Sequence, residues 1–266
     1  MLQTSIWRAL TTFSWTINAV SSADCTREGL LATAKSYVDA QTAGKVSGLK
    51  LATANFTYQQ NNKVSDINKG LLSTAYKIDL SRSTADTVAC ASYTMWISSS
   101  GSKPYVVGTQ IRHANNDTAT ISLIDTVAAT TGDLFFNATK TLGYIKTEDW
   151  SNINSTGSRP SRELLKKVGD GYLDMWTDSK AADSIPWGTD CERVEGSSYT
   201  NPCGKSLPHG GSTKANGNRR YVIDEVIGSV DVLCEFTSLG PWPDSHEIRV
   251  IDGKVKYVHT ITVMKM

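Results

Sequence analysis

Apolar residues follow two different periods along the chain. They recur at helical spacing twice: Leu30, Leu31, Tyr37 and Val38 after Thr26, and Leu164, Leu165, Val168 and Tyr172 after Ser161. A Ser or Thr side-chain oxygen accepts from the free N–H groups of a first helical turn, so Thr26 and Ser161 are N-caps and each opens a helix. Further on the period becomes two. Arg219 to Phe236 reads as one long β-rich run, with Ser245–Ile251 and Lys254–Met264 as two more strands and Asp252-Gly253 as the hairpin turn joining them. One helix followed by a long curved antiparallel sheet predicts an α+β layer, with one sheet face buried against the helix.

This pattern occurs twice. Thr26-Arg27-Glu28 leads through Leu30 to Tyr37 and Asp39, and Ser161-Arg162-Glu163 leads through Leu165 to Tyr172 and Asp174. Arg82 and Asp86 then correspond to Arg220 and Asp224, Ile111-Arg112 to Ile248-Arg249, and the strand around Asp125 to the strand around His259. Preserved order and nearly constant offset indicate a duplicated domain, 24–145 and 146–266.

Strand parity then assigns polar residues to faces. On the long run, Arg220 and Asp224 share parity with Val222, Val226, Val230, Val232 and Phe236, which places them on the apolar side. His246 shares a face with Ile248 and Val250, and His259 with Val255, Tyr257, Ile261 and Val263, so both histidines are expected to point into one interior. Arg249 shares its face with Ser245, Glu247 and Ile251, which predicts solvent or the surface between the domains. Arg and Asp four apart in a strand are about 13 Å apart. Neither Arg82 and Asp86 nor Arg220 and Asp224 can therefore pair within a strand, and each needs a partner across the sheet or a ligand.

With 27 Lys+Arg against 26 Asp+Glu the net charge is +1, which argues against a nucleic-acid or anionic-membrane partner. Composition at 39% hydrophobic is that of a globular protein. Met1 to Ala23 holds one cation, Arg8, no acidic residue, an apolar run from Ala9 to Val20 and small residues before Asp24, which reads as a secretory signal peptide. No other stretch reaches the roughly 18 apolar residues of a membrane span. Four sequons, at Asn55, Asn116, Asn137 and Asn154, are candidate glycosylation sites in a secretory lumen. The five cysteines contain no C-x-x-C, and the histidines lack zinc-ligand spacing, so a metal site is not expected. In an oxidising compartment Cys191 and Cys203 would close a short loop, and Cys25 with Cys90 would tie the mature N-terminus to a strand. Cys234 is then left as a buried small hydrophobe.

Six strings carry a resemblance: Tyr-Val-Asp-Ala-Gln (37–41), Gly-Thr-Gln-Ile-Arg (108–112), Ile-Pro-Trp-Gly-Thr (185–189), Asn-Arg-Arg-Tyr-Val-Ile-Asp-Glu-Val (218–226), Pro-Asp-Ser-His-Glu-Ile-Arg-Val (243–250) and Gly-Lys-Val-Lys-Tyr-Val-His-Thr (253–260). Together they resemble a family of fungal secretory-pathway proteins with a domain of unknown function, a family that looks like a tandem of NTF2-like, or ketosteroid-isomerase-like, cones. The chain is also similar to the maleidride dimerising cyclases of fungal secondary metabolism. Cys234 departs from the aromatic or aliphatic residue expected at its position. The resemblance implies cones that enclose a small-molecule site, where burial moves carboxylate and histidine pKa values towards neutrality. Asp224 and His259, with His246 as an alternative, are the expected acid–base residues. Arg220 and Arg249 are expected to hold a carboxylate or anhydride oxygen, and Trp187 and Tyr172 to wall the pocket. The implied function is a cofactor-independent cyclase or isomerase acting on an enolisable unsaturated substrate, such as maleic anhydride monomers in a dimerising cyclisation. The alternative is a non-catalytic secreted protein that binds a hydrophobic small molecule, and a homodimer is the assembly to test. The first copy, with Thr109 at the position of His246, is expected to be structural or regulatory.

Overall fold

A computed structural model describes residues 25–114 and 117–264. The expected signal peptide and the sequon residue Asn116 lie outside these residues. The other three sequon asparagines are exposed, and Asn137 also caps a helix by accepting from the Lys140 amide. Among the described residues no helix is long and apolar enough to cross a membrane.

The chain folds as two copies of one α+β unit. In the first, helix α1 (Arg27–Ala43) precedes strands β1 (Thr57–Gln60), β2 (Lys63–Val64), β3 (Leu80–Asp86), β4 (Ala91–Ser98), β5 (Tyr105–His113) and β6 (Ile121–Thr130). A short helix α2 (Ala138–Ile145) leads to the second copy: helix α3 (Arg162–Asp174), then β7 (Trp187–Glu195), β8 (Ser198–Thr200), β9 (Gly217–Asp224), β10 (Ser229–Glu235), β11 (Pro243–Ile251) and β12 (Lys254–Thr262). The two six-stranded sheets have matching orders, β2-β1-β6-β5-β4-β3 and β8-β7-β12-β11-β10-β9. In each, the first strand runs parallel to the last and all other neighbours are antiparallel. Thr26 and Ser161 cap their helices by accepting from Gly29 N and Leu164 N.

Each sheet is covered on both faces. One face of the second sheet packs on α3 through Val230, Val232, Ile248, Val250 and Val258 against Leu165, Val168 and Tyr172. Its other face meets the first sheet: Val194, Val222, Leu233 and Ile261 pack with Tyr93, Met95, Val106 and Val127, and with Ala138 and Ile145 of α2. Disulfides join Cys25 to Cys90 and Cys191 to Cys203, the pairs expected from the sequence, and Cys234 is free and buried.

Two corrections to the sequence reading follow from this packing. The run from Arg219 to Phe236 is a hairpin, with β9 and β10 joined by a turn at Glu225–Gly228. Asp224 Oδ1 accepts from the amides of Val226 and Ile227, and Gly228 takes φ +75° where an added Cβ would lie 2.4 Å from the Val250 carbonyl oxygen. Arg220 and Asp224 therefore face the first sheet with Val222, whereas Val230 and Val232 face α3. The second correction concerns β12. The pairing of β11 with β12 passes over Lys256, so Val255 packs towards α3 while Tyr257 and His259 turn to the opposite face. The Asp252-Gly253 turn forms as expected, with φ of 50° and 70°.

The copies are locked by exchanged ion pairs. Arg27, from the first copy, donates to Asp224 of the second, whose Oδ2 also accepts from Ala85 N at 2.9 Å. Reciprocally, Arg162 of the second copy grips Asp86 of the first with both Nη atoms at 2.8 Å, and Asp86 Oδ2 accepts from Ile223 N at 2.9 Å. Both carboxylates are almost wholly buried. Removing the charge of a buried, fully bonded carboxylate leaves its partners desolvated and unpaired. Asp86→Asn and Asp224→Asn should each lower the unfolding free energy by about 3 kcal/mol, measured by urea denaturation. A loss below about 0.5 kcal/mol, the ordinary effect of a surface substitution, would show that the exchange does not hold the copies together.

Candidate functional site

The residues expected to form one site are distributed over several places. Asp224 belongs to the lock just described, with both oxygens engaged. Arg220 donates to Asp125 through Nε at 2.6 Å and to Asn62 at 2.9 Å, across the sheet interface. Burial pushes the Asp125 carboxyl up despite the charge of Arg220. Beside this pair, Asp231 accepts from Gln110 Nε2 at 2.7 Å and from Ser245 Oγ at 2.8 Å. Burial pushes its pKa well above the ordinary carboxylate value, against the hydrogen bonds from Gln110 and Ser245.

His259 and Arg249 lie at a second charged cluster on the same interface. His259 Nε2 is 2.9 Å from Glu148 Oε1, and its Nδ1 is 3.6 Å from Glu247 Oε2 and 3.3 Å from Arg82 Nη2. Arg82 pairs directly with Glu247 and stacks 3.5 Å over Trp150. Arg249 approaches the same ring at 5.4 Å and donates to the carbonyls of Asp149 and Ser151. Burial alone would push the His259 pKa down, but the charge of Glu148 and hydrogen bonds to Glu148 and Glu247 outweigh it, and the net shift is upward. Burial likewise pushes Glu247 up, and Arg82 with His259 reverses this to a net lowering.

His246 lies elsewhere, in the interior between the second sheet and α3. Asp244 and His246 are two apart in β11 and so share the α3 face; Cys234 of β10 and Thr262 of β12 stand directly opposite Asp244. His246 Nε2 is 2.9 Å from Asp244 Oδ2, and Asp244 Oδ1 accepts from Ser245 N at 2.9 Å and from Thr262 Oγ1 at 3.1 Å. The carboxylate is thus held from behind and fixes the ring. His246 Nδ1 has no hydrogen-bond partner although the residue is only 2% exposed. Around the ring stand Tyr172, at 5.2 Å between centroids, and Phe236, at 5.7 Å. Trp176 and Trp187 pack on Tyr172 at 6.0 and 6.3 Å. Tyr172 and Trp187 therefore wall this interior together with His246, and Arg220, Arg249, Asp224 and His259 do not.

The same interior contains Arg193 and Glu195 of β7, which sequence reasoning passed over. Their parity with the buried Cys191 was the available signal. Tyr172 Oη donates to Glu195 at 3.3 Å, and burial, with the Glu195 charge next, keeps that phenol well above its ordinary pKa and therefore protonated. The Cys234 thiol, a carboxylate oxygen of Asp244 and a ring nitrogen of His246 lie within 4.8 Å of one another, a donor set chemically suited to a zinc-type ion. Burial pushes the Cys234 pKa well up, with Asp244 adding to the effect, so without a cation it is held as a thiol.

Register identifies the corresponding positions in the first copy: Trp96 for Cys234, Val107 for Asp244, Thr109 for His246, Tyr58 for Arg193 and Gln60 for Glu195. There the groups are neutral and bonded to one another. Tyr37 Oη is 2.8 Å from Thr109 Oγ1 and accepts from Trp96 Nε1 at 3.2 Å, Thr109 meets Thr126 at 3.0 Å, and Tyr58 donates to Gln60 at 2.9 Å. Charged side chains in the interior under the helix thus distinguish the second copy.

Residues 158–262 match the profile of a family described as a domain of unknown function (DUF8021). The matched stretch contains Tyr172, Arg193, Glu195, Cys234, Asp244 and His246. No curated protein matches the chain.

The His259 cluster makes a signed prediction. A histidine whose folded pKa is raised contributes stability that is complete below its unfolded value of about 6.5 and is lost as pH rises through the folded value. Unfolding free energy should therefore fall as pH rises from about 6.5, with Arg82, Glu148, Glu247 and Arg249 the charged groups around the ring. His259→Gln should flatten that slope. An unchanged slope in the variant would assign the titration to another group.

Proposed function

We propose that the protein is an enzyme of the acid–base type, a cyclase or isomerase acting on an enolisable small molecule in a secretory lumen, with its reactive centre in the interior of the second copy. The observation that carries this reading is His246: Nε2 is held by an oriented carboxylate while Nδ1 is buried and without a partner. A base must have an orienting group on one side and a free acceptor on the other. In this reading Asp244 fixes the tautomer with the proton on Nε2, Nδ1 takes a proton from the carbon next to a carbonyl, and the same nitrogen returns it at another position or leaves the carbanion to form a carbon–carbon bond. The protonated Tyr172 phenol stands beside that ring, 5.2 Å away between centroids. Asp224, saturated by an ion pair between the copies, and His259, held by Glu148 and Glu247 of its own copy beside Arg82 of the other, act in holding the sheets. Dimerising cyclisation of maleic anhydride monomers is a narrower form of the same chemistry, suggested by the sequence resemblance.

A binding function is the second reading, and the aromatic walls favour it: Tyr172, Trp176, Trp187 and Phe236 suit an apolar ligand whether or not a proton moves. Two disulfides and three exposed sequon asparagines fit a secretory location for either.

The two readings separate in metabolite profiles from the producing organism. Loss of the gene should leave an uncyclised or unisomerised precursor, and the intact gene should restore product. His246→Asn and Asp244→Asn copies, checked for folded protein, should give at least about 100-fold lower turnover. Full restoration by His246→Asn would contradict acid–base catalysis at this centre, and a profile unaffected by gene loss would favour the binding protein.

A further inference from the structure

The second interior holds one more set of polar atoms left without a partner. Arg193 is 2% exposed, yet its Nε and Nη1 make no hydrogen bond. Nη2 donates to the Lys205 carbonyl at 2.9 Å, and Glu195 stands 3.6 Å from Nε. Guanidinium donors lie in one plane and grip an oxyanion along an edge. The Nε edge faces Glu195, and on the other edge Nη1 has no acceptor within hydrogen-bond distance. Burying a cation with donors unused is costly unless something completes its bonding. At the matching position of the first copy stands Tyr58, whose hydroxyl is bonded, so the requirement belongs to the second copy alone.

We infer that Arg193 anchors a carboxylate, and that the molecule occupying this interior is an anionic acid with an aromatic or apolar body. The inference rests on the site of the proposed function but not on proton transfer within it. The register sets the size and orientation of the ligand. Glu195 pairs with Thr260 and Thr260 with His246, so β7 and β11 stand two strands apart, about 10 Å at the usual sheet spacing. Asp244, behind His246, repels a carboxylate from that end; at the other end Glu195 faces Arg193 Nε, and the open Nη1 of Arg193 is the donor that draws the acid in. A molecule of phenylpropanoid length therefore lies across Tyr172, with its acid at Arg193 and its body towards His246. The wall over Arg193 is the stretch between β8 and β9, where Lys205 supplies its carbonyl and Leu207 packs on the core. It contains no helix or strand, and it is tied back by the Cys191–Cys203 disulfide and by the amides of Gly210 and Ser212, which donate to the carbonyls of Met175 and Trp176.

The test uses the full chain, tryptophan fluorescence and three probe acids, hydrocinnamate, trans-cinnamate and phenylpyruvate, each compared with its methyl ester. At least one acid should bind, and at least 10-fold more tightly than its ester. Arg193→Gln should weaken the acid at least 10-fold and leave the ester unchanged. Arg193→Lys, which keeps the charge without the planar fork, should fall between and provides the answer if the glutamine variant does not fold. Binding is read without turnover, so failure of the acid–base reading leaves this result intact. Equal affinity of wild type and folded Arg193 variants for the acids, equal affinity for acids and esters, or no binding of any probe acid would overturn the inference.

Discussion

Charge buried between two sheets has to be neutralised there, because the cost of taking an ion out of water is recovered only by close, well-bonded partners. The contact between the two copies follows from this requirement. Asp86 and Asp224 each take an arginine from the opposite copy and three backbone amides, one of which belongs to the strand across the interface. Arg82 and Arg220, at matching positions, reach over to Glu247 and Asp125. These polar groups leave little freedom of register, because a slip of one residue would strand several buried charges at once. Position is thus fixed by paired charges, and apolar contacts between the sheets supply the area.

With the interface fixed, the two interiors have diverged on the same scaffold. In the first, Trp96 stands where the second has Cys234, and the hydroxyls of Tyr37, Thr109 and Thr126 satisfy one another. In the second, Val107 is replaced by Asp244, Thr109 by His246 and Tyr58 by Arg193, which turns a closed neutral core into one with a held imidazole and an incompletely bonded guanidinium. A protein that required only a stable core would have no use for these groups, since unpaired buried polar atoms lower stability. Their presence is the physical basis for placing function in the second copy.

The duplication, the helix caps, the disulfide pairs and the Asp252-Gly253 turn were legible in the sequence because each depends on local chemistry or on residues repeated at a nearly constant offset. Assignment of residues to faces was not. Alternation separates a wet face from a dry one, but here both faces of each sheet are dry, one under a helix and one under the other sheet. Val222 and Val230 therefore look alike in the sequence and point to opposite sides of β9 and β10. Apolar Val226 and Ile227 also carried the alternation straight through a turn, and the bulge at Lys256 reversed parity in the middle of β12. Arg249 was placed at solvent or between the domains, and it lies between them. The reading that Arg82, Asp86, Arg220 and Asp224 need distant partners also agrees with the structure, since it rested on a distance and not on a face.

The division between a structural histidine at the interface and a reactive one in the second interior is most directly tested by nitrogen-15 NMR of the two imidazoles in the intact protein. His259, between Glu148 and Glu247, should carry protons on both nitrogens to a pH above the ordinary histidine range. His246 should show the tautomer with its proton on Nε2, directed to Asp244, and an unprotonated Nδ1. A His246 proton on Nδ1 in place of Nε2, or a His259 that loses its second proton at or below the ordinary value, would contradict the account.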